Sequence, residues 1–315
     1  MLNHIVFVLC LLVGGGIYFP PLNALTALTL ASELYSHMSL IPAVSLFLLW
    51  QKREAIFGET RRAILPGAAI AAAGLAAYAL ATVFRGQLDT AALQDAEMSN
   101  DYLTLCMAGF VAWVIGSFIA VYGLKAFQKA RFPLLFLAFI IPIPMFLMNA
   151  VMQVLQHASA EAADIVFKLS GAPYHRNGVV FEFPNVTVEV AKQCSGIRSS
   201  LALIILSIIT GHLFLSTVSR RLILVLSIFP ITVVKNAFRI VTVTLLANYV
   251  DMRFISNHWI HSSGGIPFFA VAMAMFIPLV WVLRRTEGPG ARHAAQGAGP
   301  AAAEEKDLPG PAPRK

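Results

Sequence analysis

Long apolar segments recur along most of this 315-residue chain and constrain its fold more than any other feature. A helix that spans a membrane needs about 20 predominantly apolar residues. Charged residues make up only 12% of the chain, whereas soluble domains carry about 25%. The sequence therefore predicts an all-α integral membrane protein with about eight transmembrane helices. The predicted spans are residues 4–20, 38–50, 64–84, 102–123, 132–155, 199–218, 222–249 and 264–283.

The charges between these segments alternate along the chain. Loop 86–101 is acidic, with four Asp and Glu residues and no Lys or Arg. Loop 250–263 has only two charged residues, Asp251 and Arg253. Because cytoplasmic loops carry an excess of Lys and Arg, the pattern places both termini in the cytoplasm and loop 156–198 on the outer side. Orientation in the bilayer thus explains the net charge of +7, and no nucleic-acid partner is predicted. The basic residues between alternate spans are Lys52, Arg53, Arg61, Arg62, Lys125, Lys129, Arg131, Arg220, Arg221, Arg284 and Arg285.

The sequence divides into a polytopic membrane domain over residues 1–285 and a tail over residues 286–315. The tail is rich in Gly, Ala and Pro, which predicts a disordered cytoplasmic extension. Residues 4–20 have no basic segment before them and no clear small-residue cleavage site after them, so we interpret them as a retained first span. Residues 22–34 are apolar but short, and predict an interfacial or a re-entrant segment.

Loop 156–198 is the one sizeable element that the pattern predicts outside the membrane. Its first part has a helical pattern that ends at Gly171-Ala172-Pro173. Two β-rich runs follow, Val179–Phe183 and Val186–Val190, separated by Pro184-Asn185, which predicts a small β-hairpin. This hairpin leads the chain directly to Cys194.

Cys194 lies at the predicted outer end of the sixth span, with Gly196 and Arg198 close by in the sequence. A thiol beside fixed positive charge ionises more readily and can act as a nucleophile. The alternative is a structural cysteine at the interface. Cys10 and Cys106 lie inside apolar segments and are predicted to be packing residues, and no disulfide framework is predicted.

Arg239 is an ionisable residue inside the seventh predicted span, and such residues are functional candidates because they are costly in lipid. Asn236 lies three residues earlier and shares its helix face. Thr232 and Thr242 extend this face in both directions, which predicts a polar stripe toward the interior of the helix bundle. The alternative is that Arg239 reaches toward the outer interface or ties helices together.

Two histidines, His258 and His261, precede the eighth predicted span on the same outer side. The glycines that follow His261 allow another backbone to approach closely, so His261 is the favoured candidate. A thiol, an imidazole and a guanidinium suit acyl transfer, with attack, proton transfer and stabilisation of the oxyanion as their roles. Arg198 competes with Arg239 for the last role.

One cysteine and two histidines at irregular spacing give no recurrent metal-ligand pattern, so no metal is predicted. The chain also holds no P-loop, GxGxxG or HExxH motif, and no cofactor is predicted.

The chain resembles the exosortase family, bacterial membrane proteins with eight spans that are associated with PEP-CTERM protein sorting. The resemblance covers roughly residues 30–285 and rests on the order and spacing of several short motifs. These are Tyr35-Ser36-His37, Leu40-Ile41-Pro42, Leu49-Trp50, Phe132-Pro133, Ile141-Pro142-Ile143-Pro144, Cys194-Ser195-Gly196-Ile197-Arg198-Ser199, Asn236-Ala237-Phe238-Arg239-Ile240, and His261 with Gly265.

The resemblance implies a catalytic triad of Cys194, Arg239 and His261 in a sortase-like cysteine protease or transpeptidase of the bacterial inner membrane. The candidate supporting residues, which the sequence itself indicates, are Arg198, Asn236, His258 and Ser195. The implied substrates are exported proteins with a C-terminal signal made of a Pro-Glu-Pro-like motif, a membrane span and a basic tail. The implied acceptor of the acyl group is a surface polysaccharide precursor, which is lipid-linked.

Three departures from the family pattern leave the subtype and the preferred sorting motif open. They are Lys192-Gln193 before the cysteine, Met38 after His37, and Ser262 after His261. Two other functions are compatible with the residues. A transporter would line its substrate path with Arg239 and Asn236 and would show broken helices and internal repeats, but no repeat is evident. A non-catalytic assembly factor of an envelope polysaccharide system would not need a reactive Cys194.

Overall fold

The protein is mainly helical in a computed structural model, which describes residues 2–32, 34–58, 60–86, 96–190, 197–253 and 265–287. Contacts between Cα atoms divide the chain into two units, residues 1–150 and 151–315. The helices in the described ranges are α1 (Leu2–Ile17), α2 (Phe19–Ala31), α3 (Ile41–Gln51), α4 (Arg53–Phe57), α5 (Ile64–Gly86), α6 (Ala96–Tyr122), α7 (Leu124–Phe136), α8 (Met145–Ser170), α9 (Ile197–Phe214), α10 (Val218–Leu226), α11 (Ile228–Tyr249) and α12 (Gly265–Arg285).

Four stretches of helix in the described ranges are long and apolar enough to cross a membrane: Ile64–Gly86, Met98–Tyr122, Val218–Tyr249 and Pro267–Arg285. Two bent helix pairs raise the number to six if each pair is one span. The structure thus supports a membrane protein with four to six candidate spans, and eight spans stay a prediction. Part of the shortfall comes from segment 38–50, whose only α-helix is the 11-residue α3.

One bent pair interrupts a predicted span, and the other includes most of the apolar segment predicted at residues 22–34. The predicted span 132–155 is interrupted between α7 and α8. The helical segments Leu124–Ile140, which is α7 and a 3-10 turn, and Met145–Ser170 meet at 87°, because Pro142 and Pro144 lack the N–H that a continuous helix needs. At the start of the chain, α1 and α2 meet at 76°, and Pro20 and Pro21 begin α2. Residues 19–31 are therefore helical, in a bent pair that is a broken span or a re-entrant loop.

In the first unit, α5 and α6 pack with their backbones in close approach. Gly67 and Gly74 of α5 face Gly116 and Gly109 of α6, and an added Cβ at any of them would overlap backbone atoms of the facing helix. Small residues at such spacing let membrane helices approach closely. This packing fixes α6, whose first turns carry the polar residues described next.

A polar cluster holds the break between α7 and α8. Asn100 Nδ2 donates to the Ile143 carbonyl at 2.9 Å, and Tyr35 Oη donates to Asn100 Oδ1 at 3.1 Å. Thr104 Oγ1 lies 2.9 Å from the Pro142 carbonyl. Carbonyls freed by a helix break must find partners where water is absent. The motif residues at 35 and 142–143 therefore meet at a structural junction.

The second unit contains a three-stranded antiparallel sheet in the order β1 (His175–Asn177), β2 (Val180–Glu182) and β3 (Thr187–Glu189). The predicted hairpin is confirmed by the pairing of β2 with β3, in which Phe181 lies opposite Val188. Strand β1 was not predicted, because its three residues have little β propensity. The predicted end of the preceding helix is confirmed, since α8 ends at Ser170 and Gly171 has a φ of +70°.

The sheet packs against α8 and α11. Phe167, Phe181 and Phe183 form an aromatic cluster with ring centroids 4.9 and 5.1 Å apart around Phe167. Ala237 and Val241 of α11 belong to the same buried core. Because this core includes residues on both sides of Arg239 in the sequence, the sheet fixes the part of α11 that carries the predicted site.

A second apolar core joins α9, α10, α11 and α12 through residues such as Leu203, Ile231 and Phe276. After α12, the Glu287 carboxylate accepts hydrogen bonds from the backbone N–H of Ser216 at 2.9 Å and of Thr217 at 3.3 Å. The first two residues of the predicted tail are thus held against the start of α10. Residues 288–315 lie outside the described ranges.

Candidate active site

The described ranges hold only part of the predicted site. Cys194, Ser195, His258 and His261 lie outside them. Arg198 lies in the first turn of α9. The convergence of Cys194 with Arg239 and His261 therefore stays a prediction, while the surroundings of Arg239 can be stated from contacts.

The polar face of α11 is formed by Thr232, Lys235, Asn236 and Arg239. Thr232 and Asn236 are 0% exposed and Lys235 is 4% exposed, while Arg239 is partly exposed. Spacings of three and four residues place these side chains on one side of the helix. The predicted polar stripe is present at Thr232 and Asn236.

The prediction that Thr242 continues this stripe is wrong. Thr242 is exposed, whereas Thr244 is 1% exposed. At 100° per residue, the buried side chains of Ile240, Val241 and Ala247 lie within about 60° of Thr244 but about 100° or more from Thr242, so the buried face of the second half of α11 includes Thr244. The Thr244 hydroxyl has no hydrogen-bond partner among the described residues.

The first turn of α9 packs against this polar face. The Lys235 ammonium donates a hydrogen bond to the Ser199 hydroxyl, and Ser200 Oγ donates to Thr232 Oγ1 at 3.2 Å. Ser199 follows Cys194 by five residues in the sequence. The polar face of α11 is thus joined to the helix that directly follows the cysteine motif.

The sheet fixes the chain on the other side of that motif. Gln156 is 6% exposed, and its Nε2 donates to the Val190 carbonyl at 2.5 Å. The Val190 N–H in turn donates to the Val179 carbonyl at 3.0 Å. Val190 precedes Cys194 by four residues, so the motif departs from a point held by both helix α8 and the sheet.

The hairpin is also tied to the end of α11. The Asn185 side chain donates to the Asn248 carbonyl at 3.0 Å, and the Asn185 N–H donates to Asn248 Oδ1 at 3.2 Å. These two hydrogen bonds from Asn185 and the apolar core hold α11 along its second half. Arg239 lies within the stretch that the apolar core holds, nine residues before Asn248.

An ion cluster stabilises the sheet at β1. Arg176 pairs with Glu161 and, at 3.4 Å, with Asp164. The hydrogen bond to Glu161 raises the pKa of Arg176, and burial followed by the Asp164 contact raises the pKa of Tyr174 to about 12. These groups hold β1 on α8. Across the described ranges, no group of three or more His, Cys, Asp or Glu side chains could hold a metal ion.

The family model described as transmembrane exosortase matches residues 29–278. This match covers most of the chain and all of the motifs above. The chain belongs to the transmembrane exosortase family. Neither curated proteins nor solved structures give a match to this exosortase.

Three polar residues at or against the polar face of α11 were not predicted as site residues: Lys235, Ser199 and Ser200. Lys235 could have been predicted from the sequence, because it is a second ionisable residue inside a predicted span and lies one turn before Arg239. The two serines gave no comparable signal. Their place in the cluster depends on how α9 packs on α11.

Proposed function

We propose that this exosortase is a membrane-embedded cysteine protease or transpeptidase. Its substrates are exported proteins with a C-terminal sorting signal that contains a Pro-Glu-Pro-like motif. Cleavage occurs at the outer face of the bacterial inner membrane, with both termini of the enzyme in the cytoplasm. The acyl group passes from the enzyme to a lipid-linked polysaccharide precursor or to water.

One observation carries this proposal: a polar face with two cations lies on α11 and is hydrogen-bonded to Ser199, the last residue of the cysteine motif, and to Ser200. A membrane protein that places Lys235 and Arg239 in an apolar helix meets a considerable cost in free energy. Fixed donors near a nucleophile are what acyl transfer requires, because negative charge develops on the carbonyl oxygen.

The proposed reaction has two steps. The Cys194 thiolate attacks the scissile carbonyl carbon, Arg239 donates hydrogen bonds to the resulting oxyanion, and protonated His261 gives its proton to the leaving amine as the C–N bond breaks. The thioester then forms. An acceptor hydroxyl, an amine or water gives a proton to His261 and attacks the thioester carbonyl, which releases Cys194 as a thiolate.

A thiol-reactive peptide probe tests the proposal. The full-length protein in membranes is treated with a sorting-motif peptide that carries an electrophile, and the labelled cysteine is located by mass spectrometry. Labelling at Cys194, with Cys10 and Cys106 unlabelled, is the expected result. Labelling that is equal in a scrambled peptide, or absent at Cys194, would contradict the proposal.

Transport is the second candidate function, because two bent helix pairs are a feature of transporters. A transporter would move solute across the membrane whether or not Cys194 is present. Solute flux in proteoliposomes that is the same for the wild-type protein and Cys194→Ala, together with no labelling by the probe, would favour transport.

A further inference from the structure

Lys235 is a buried cation with a single hydrogen-bond partner among the described residues. Its ammonium has three donors, and one of them is used by the neutral Ser199 hydroxyl. No Asp or Glu of the described ranges lies within ion-pair distance of Lys235 or of Arg239. Segments 191–196 and 254–264, which adjoin α9 and α12 in the sequence, contain no Asp or Glu. Among the residues that the structure describes, two cations thus lie one turn apart without a carboxylate beside them.

Asn236 lies between them in the sequence and is 0% exposed. Neither its Nδ2 nor its Oδ1 has a hydrogen-bond partner among the described residues. A buried amide without partners is costly, and such groups are rare in folded proteins. This is a second and independent sign that the cluster is completed by a ligand.

An anion supplies an acceptor for both donors, the Lys235 ammonium and the Asn236 Nδ2. A buried charge is costly unless it is paired and hydrogen-bonded. A carboxylate accepts several hydrogen bonds, so it can take one from the Lys235 ammonium and one from the Asn236 amide. The guanidinium of Arg239 then remains available for the reacting carbonyl.

We propose that Lys235 and Asn236 form a subsite for the side-chain carboxylate of an acidic residue in the peptide substrate. This inference rests on the proposed function, which supplies a peptide as the ligand. Lys235 and Arg239 are four residues apart, about 6 Å along the helix axis. An extended peptide rises about 3.3 Å per residue, so the acidic residue lies about two positions from the cleaved bond.

The test is a cycle of two peptides and two proteins. The proteins are full-length Cys194→Ala and the same chain with Lys235→Met, both in nanodiscs, so that no turnover occurs. The peptides carry either Glu or Gln in the sorting motif, and their Kd values are measured by fluorescence anisotropy. Lys129→Met, which removes an exposed lysine, is the matched control.

The expected result is that Glu→Gln weakens binding about 10-fold to 100-fold when Lys235 is present, the range for one charge-assisted hydrogen bond. With Lys235→Met the two peptides should bind within about twofold of each other, and Lys129→Met should behave like its parent. An equal Glu preference in the presence and absence of Lys235 would overturn the proposal.

A second measurement separates this inference from the proposed function. The Tm of the same proteins is measured in acetate and in chloride at equal ionic strength, without peptide. Stabilisation by acetate that disappears in Lys235→Met supports a carboxylate site. If neither peptide binds while acetate stabilises, the peptide is the wrong occupant and the proposed function fails with it.

If Cys194-dependent cleavage is intact and neither acetate nor the peptides depend on Lys235, the inference alone fails. Stabilisation by phosphatidylglycerol that depends on Lys235, with no Glu preference in the peptides, would identify a lipid phosphate as the ligand and would also overturn the proposal.

Discussion

The Ser199 hydroxyl accepts a hydrogen bond from the Lys235 ammonium, which joins α9 to the polar face of α11. Ser199 is the last residue of the motif that begins at Cys194, and Lys235 directly precedes the motif that contains Arg239. This contact shows that the two motifs lie together. It also defines the surroundings in which the proposed nucleophile and the proposed oxyanion donor would work.

Cys194→Ala is expected to abolish processing, with a loss of more than about 1,000-fold in rate, because the thiolate is the proposed nucleophile. The amount of protein in the membrane should stay unchanged. Cleavage of a reporter protein with a C-terminal sorting signal is followed by immunoblotting. Cys10→Ala is the control, and normal cleavage in Cys194→Ala would rule out the cysteine mechanism.

Arg239→Lys keeps the positive charge but loses the planar fork of donors. We expect a loss of about 100-fold to 1,000-fold in the rate of cleavage, as for removal of one oxyanion donor. The rate is measured with the same reporter under single-turnover conditions. Arg131→Lys, at an exposed position of α7, should stay near the wild-type rate. A wild-type rate in Arg239→Lys would show that charge alone is sufficient.

Gln156→Ala removes the side chain that holds the Val190 carbonyl at 2.5 Å. An unsatisfied buried carbonyl costs about 1–3 kcal/mol, so the free energy of unfolding should fall by this amount. Cleavage should also slow, because the chain before Cys194 loses an attachment. Thermal unfolding in detergent and the reporter are the measurements. Gln153→Ala, exposed on the same helix, should change stability by less than about 0.5 kcal/mol.

Glu287 gives a pH dependence of stability. Burial alone raises the pKa of Glu287, but hydrogen bonds from Ser216 and Thr217 outweigh it and hold the pKa below its usual value. A lowered carboxyl pKa stabilises the fold above the unfolded value of about 4.3, and this stability is lost as the pH falls through the folded value.

Glu287→Gln should therefore lower the Tm at pH 7 and should lack part of the loss that the wild-type protein shows between about pH 5 and about pH 3. Unfolding is followed by circular dichroism across this range. Glu54→Gln, whose side chain is 90% exposed, is the control. Identical pH profiles for Glu287→Gln and the wild type would contradict the assignment.

Asn100→Ala removes the side chain that links Tyr35 to the break between α7 and α8. The Ile143 carbonyl and the Tyr35 hydroxyl would lose a partner, and the free energy of unfolding should fall by about 1–3 kcal/mol. Hydrogen exchange at residues 141–145 should also become faster. Asn23→Ala, at an exposed position of α2, is the matched change, and an equal effect in both variants would argue against the junction.

The sequence by itself determined the class of protein and several local features. Apolar segments predicted membrane helices, Gly171 marked the end of α8, and the alternating runs around Pro184-Asn185 predicted the pairing of β2 with β3. These features depend on local hydrophobicity and turn chemistry. The residues that carry the family resemblance could also be recognised, because their order and spacing are linear properties.

Only the tertiary structure decided which polar residues gather at the polar face of α11. Whether Thr242 or Thr244 is buried depends on which side of α11 the sheet and α9 cover, and Ser199 joins the face only because α9 packs there. The break at Pro142 likewise depends on Asn100 and Thr104, which supply partners from another helix. Hydropathy reports how apolar a segment is, whereas burial and pairing depend on residues far away in the sequence.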